Sequence, residues 1–171
     1  LVCLLDHGSS GECAETTFFL LTLVGLSGLL AAPALREHVA PPTASPEGRA
    51  ALSERLDQIF ATHPALQPLR DRVHATDAAD FAIGTHGILR PRVFVGSAFA
   101  ARLTDDMLAS ALGHESEHVR SLDPLRYVLL RATQAVNPVG HLLLAPHVAR
   151  WHAAREAHCD REAVIRGSSP L

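Results

Sequence analysis

The stretch from Thr104 to Leu122 puts a carboxylate where an amphipathic helix should be apolar. Leu108, Ala111, Leu112, Glu115, Val119 and Leu122 recur at helical spacing and form one stripe. Thr104 suits the cap of such a helix, and Asp105 and Asp106 suit the positive end of its dipole. A glutamate inside that stripe must have partners, because an uncompensated buried charge is costly. This requirement limits what the chain can fold into more than any other feature of it.

The neighbours of Glu115 supply an answer. The run His114-Glu115-Ser116-Glu117-His118 has the form HExxH. Two histidines at i and i+4 lie on one helix face and can grip a single ion. A glutamate beside the first histidine can reach a metal-bound water and take its proton. His114 and His118 are therefore expected to be metal ligands, with Glu115 as general base. One zinc ion is the expected cofactor.

A hydrolytic zinc needs a third protein ligand and an open fourth position. The run Glu156-Ala157-His158-Cys159-Asp160 places Glu156, Cys159, Asp160 and Ala163 on one helical face. Glu156 is the expected ligand. Asp160 is expected behind it, accepting a hydrogen bond from the free N–H of a ligating histidine. Cys159 is expected to pack beside the site, since a fourth protein ligand would close it. Glu162 falls on the opposite side of that helix, and Pro124 predicts that the chain turns away at Asp123.

The rest of the chain is read for organisation. Residues 1–17 form an N-terminal segment, in which Cys3, His7 and Cys13 fit no compact zinc module. Residues 18–35, FFLLTLVGLSGLLAAPAL, carry no charge and predict a transmembrane helix. Arg36, Arg49 and Arg55 follow that span and no basic residue precedes it, which points the catalytic part into the cytoplasm. Residues 36–50 are a linker by composition, and 51–171 form the catalytic domain. The chain opens with Leu1 and is read as part of something longer. The net charge of −3 offers nucleic acid no general attraction.

Within the domain, Ala51 to Phe60 predicts a short amphipathic helix with Leu52, Leu56, Ile59 and Phe60 on one side. Phe81 to Thr85 and Val93 to Val95 predict strands, with His86-Gly87 and Arg90-Pro91 suiting the turn between them. Leu125 to Val148 is apolar and interrupted by Asn137-Pro138 and Pro146. It is expected as two short helices, packed on the domain or dipped into a membrane. A last helix is expected over about Val148 to Arg166, stopped by Gly167.

The run from Arg90 to Ala163 resembles the catalytic domain of the BlaR/MecR-type membrane zinc peptidases, members of the gluzincin group. RPRVFVG, LGHESEH, LDPL, Asn137-Pro138 and EAHCDREA carry the resemblance, in that order along the chain. It implies zinc on His114, His118 and Glu156, with Glu115 as base. It also implies that the strand holding Val93, Phe94 and Val95 binds an extended peptide substrate by strand addition. The chain departs from the family in offering one membrane span where several are usual. The combined expectation is an α+β, mostly helical peptidase domain with a small sheet, on a bacterial inner membrane. Its partners would be a protein or peptide substrate and membrane lipid. Two rivals stand beside it: the protease module of a receptor that cleaves a transcriptional repressor, and an inactive zinc-binding membrane protein.

Overall fold

The computed structural model describes residues 46–165 apart from 79 and 137, together with position 42 and a few positions between 17 and 32. Helix α1 covers Pro46–Thr62, and a 3-10 segment covers Pro64–Arg72. Three strands follow: β1 (Val73–Thr76), β2 (Ile83–His86) and β3 (Arg92–Gly96). A single turn of helix, α2 (Ser97–Ala100), leads into α3 (Asp105–Arg120), α4 (Asp123–Val136) and α5 (Pro138–Ile165). The fold is α+β and mostly helical, with one small sheet.

The core forms where α1 and α3 meet the sheet. Leu52, Leu56, Ile59 and Phe60 of α1 are buried with Val93 and Val95 of β3 and with Leu108, Ala109, Leu112 and Val119 of α3. Burying each such side chain stabilises the fold by roughly 1.5–3 kcal/mol before entropy is set against it. Thr104 caps α3 by accepting a hydrogen bond from the Met107 N–H at 3.3 Å. The predicted stripe holds as far as Val119, but Leu122 leaves it. The helix ends at Arg120, and Leu122 turns the chain with a φ of 53° and stands partly exposed.

The sheet order is β1-β3-β2, with β1 parallel and β2 antiparallel to β3. The strand β1 was not anticipated: its four residues, VHAT, are too short and too polar to give a strand signal. Gly87 occupies the turn after β2 at a φ of 99°, which only glycine adopts without strain. At Gly96 a Cβ would lie 1.9 Å from the Phe81 carbonyl oxygen, so glycine alone allows that segment to close on β3.

The C-terminal region also departs from expectation. It is not broken at Pro146; α5 runs unbroken from Pro138 to Ile165 with Pro146 inside it. The predicted first strand shifts towards the chain's C-terminus, to Ile83–His86. Among the described residues no helix is long and apolar enough to cross a membrane. The predicted span at 18–35 falls largely outside the described residues, as do Cys3, His7, Cys13, Asn137, Gly167 and most of the 36–50 linker.

Candidate metal centre

The helices α3 and α5 pack face to face, and the small residues Cys159 and Ala163 are buried between them. This close packing brings the HExxH face of α3 opposite the Glu156–Asp160 face of α5. His114 Nε2 and His118 Nε2 lie 3.0 Å apart. The Glu156 carboxylate closes the group, with Oε2 at 3.3 Å from His114 Nε2 and Oε1 at 3.8 Å from His118 Nε2.

Both histidines are held from behind. His114 Nδ1 lies 2.8 Å from Asp160 Oδ1, and His118 Nδ1 lies 2.8 Å from Asp123 Oδ2. The turn at Leu122 makes the second contact, because it folds Asp123 back beneath His118 where Pro124 had suggested a departure. A hydrogen bond at each Nδ1 orients each Nε2 towards the shared point.

Cys159 is the other group within reach. His114, His118 and Cys159 together could hold a metal ion. The Cys159 Sγ, however, lies 3.7 Å from His118 Nδ1, the nitrogen that Asp123 already engages. The thiol is fully buried, and burial pushes its pKa up to about 12. Glu156 meets the free Nε2 atoms and is more than half exposed, which leaves the far side open.

Glu115 is buried at the rim of this group, and its Oε2 accepts a hydrogen bond of 2.6 Å from the Thr85 hydroxyl of β2. Burial alone would keep His118 neutral, but its hydrogen bond to Asp123 and the charges of Glu115, Glu156 and Asp123 outweigh it and raise the pKa.

Beneath the site lies a buried ionic network that sequence reading passed over. Glu117 is fully buried and bonds to Arg120, Ser121 and Arg155. Arg155 also donates to Asp123 and to the Glu117 carbonyl. Burial opposes the charge on Glu117, but its bonds to Arg120, Ser121 and Arg155 win and lower its pKa to about 2. Helical spacing gave no signal of it, because Glu117 lies about 200° round the helix from Glu115 and off the predicted apolar stripe.

A cleft of about 300 Å³ opens beside the centre, lined by residues that include Thr85, Glu115, Tyr127, Trp151, His152 and Glu156. Among the described residues, His152 Nε2 is buried with no hydrogen-bond partner, and burial lowers the pKa of that ring. His158 instead lies 3.5 Å from Glu117, away from the cleft.

The expected substrate strand is corrected. Val93, Phe94 and Val95 are buried and β3 is paired on both sides, so it has no edge to offer. The edge strand beside the centre is β2, whose Gly84 and Thr85 line the cleft. Comparison with protein families, with curated proteins and with solved structures finds no match, so the centre is read from its own geometry.

Proposed function

We propose that this chain is a zinc-dependent peptidase, with the ion held by His114, His118 and Glu156. One observation carries the reading: two oriented Nε2 atoms and an exposed carboxylate converge, with a buried glutamate alongside. Three donors about 2.0–2.2 Å from one tetrahedral ion stand roughly 3.3 Å apart. The 3.0 Å between the two Nε2 atoms and the 3.3 Å from His114 Nε2 to Glu156 Oε2 are close to that spacing, and three protein donors would leave one position open.

Zinc bound there would polarise a substrate carbonyl and make a water acidic enough to be deprotonated near neutral pH. Glu115 would be the base that accepts a proton from the attacking water and the acid that returns it to the leaving amine. Thr85 holds the Glu115 carboxylate by donating to one oxygen, which leaves the other to work. Asp160 and Asp123 keep the two imidazoles in the tautomer that points Nε2 at the ion. The edge of β2 would pair with an extended peptide across the cleft. The His152 ring lines the same cleft.

The test is a pair of measurements on Glu115→Gln, metal content and hydrolysis of an unstructured peptide. Metal content should match the unsubstituted chain, while hydrolysis falls by about 10²–10⁴-fold. Retained hydrolysis in the metal-loaded variant rejects the mechanism. A second reading rests on Cys159: if it ligates, the centre has four protein ligands and is structural.

A further inference from the structure

The supports behind the two histidines are not alike. The side chain of Asp160, behind His114, is 73% exposed. That of Asp123, behind His118, is 10% exposed and has a further partner. Arg155 Nε donates at 2.5 Å to Asp123 Oδ2, the same oxygen that meets His118 Nδ1. The other oxygen, Oδ1, is buried without a hydrogen-bond partner among the described residues, and Arg126 approaches it no closer than 3.5 Å.

Arg155 is itself anchored on the helix that carries the histidines. Its Nη2 donates to the Glu117 carbonyl at 3.0 Å and to the Glu117 carboxylate at 3.2 Å. The Glu117 carbonyl also accepts from the Ser121 N–H, at the C-terminal end of α3. One guanidinium therefore spans from the last turn of α3 to the first residue of α4, across the reversal at Leu122. A lysine could not do this, since an ammonium is a single point and not a planar fork. The bridge matters because Asp123 lies beyond the end of α3, so the hydrogen bonds of that helix do not fix where its carboxylate stands.

We propose that Arg155 is a positioning residue for the ion: it clamps Asp123 so that Oδ2 meets His118 Nδ1, and so turns His118 Nε2 towards the point shared with His114 and Glu156. The inference rests on reading those three residues as the ligands. It makes the two histidines unequal. Arg155 acts on the His118 side, through Asp123, and leaves the His114–Asp160 pair untouched.

The test is zinc affinity, measured on the full chain by competition with a chelating dye. Arg155→Lys keeps the charge and loses the bridge. It should weaken zinc about tenfold, the lower end of what removing a group behind a ligand costs. Leu52→Ala, in the core of α1, controls for lost stability and should leave the affinity unchanged. Combined with Asp160→Asn, Arg155→Lys should lower affinity by the product of the two losses. Combined with Asp123→Asn it should add nothing, because the residue it acts through is gone. If Arg155→Lys does not fold, Arg155→Gln/Glu117→Gln replaces it, since it removes the buried Glu117 charge together with its partner. That variant should weaken zinc by at least about tenfold. Unchanged affinity in the arginine variants, an equal loss in Leu52→Ala, or losses that multiply with Asp123→Asn each overturn the proposal. An unsubstituted chain that takes up no zinc overturns the reading of the centre, and this inference with it.

Discussion

At the scale of single residues, the centre is decided by which nitrogen each histidine presents. Asp160 and Asp123 occupy the two Nδ1 atoms, so only the Nε2 atoms remain for an ion, and these face Glu156 and not Cys159. Zinc titration separates the alternatives. Glu156→Gln should weaken binding strongly, while Cys159→Ala should leave the stoichiometry unchanged and cost only some packing. The reverse result would make the site structural. Asp160→Asn and Asp123→Asn should each weaken zinc about 10–100-fold, since both orient a ligand without touching the ion. Equal effects from the two would set them apart from Glu162→Gln, for which little change is expected.

At the scale of elements, Glu117 is the joint between α3 and α5. It sits on the same helix as the histidines, yet its partner Arg155 belongs to the opposing one. Its pKa falls from 4.5 to about 2, so its contribution to stability is present in full above pH 4.5 and is lost as the pH falls through about 2. The shift corresponds to something on the order of 3 kcal/mol at neutral pH. Glu117→Gln should therefore lower unfolding free energy by about that amount at pH 7, and leave Arg155 buried with one partner fewer. Urea unfolding at several pH values checks the sign. The difference between the two proteins should shrink as the pH is lowered from 5 towards 2, and a gap that widens would contradict the assignment. The same element shows how far sequence periodicity reaches. The stripe on α3 and the cap at Thr104 are legible because they depend on residues close in the chain. The pairing of Glu117 with Arg155 depends on how α3 meets α5, which no local pattern encodes.

At the scale of the whole molecule, Arg55 adds a polar tie to the apolar packing that holds α1 against the helix carrying the histidines. Arg55 of α1 donates to Asp105, to the Ala100 carbonyl and to the Leu103 carbonyl, each at 2.6 Å. These contacts fix α1 against the segment that launches α3, and so the height at which the histidine face begins. Arg55→Ala should cost about 2 kcal/mol, as hydrogen bonds to a charged group do when removed. That corresponds to a fall in Tm of roughly 4–8 °C for a chain of this size. Thermal unfolding followed by circular dichroism measures it, and an unchanged Tm would show that the apolar core alone positions α1.

The amino-acid sequence by itself determined the parts that rest on spacing along one helix. These are the extent of α3 to within a turn, the shared face of His114 and His118, the burial of Glu115, and the apolar side of α1. It also placed Glu156 and Asp160 on a common face of a later helix. Only the tertiary structure decided what those faces meet. The turn at Leu122 returned Asp123 to His118, although Pro124 suggested departure, because a single left-handed residue redirects a chain in a way that composition does not reveal. The short strand β1 took one edge of β3 and β2 the other, which moved the free edge from Val93–Val95 to Gly84 and Thr85. A strand's place in a sheet depends on its neighbours, and those neighbours here are four-residue segments whose pairing comes from the packing around them.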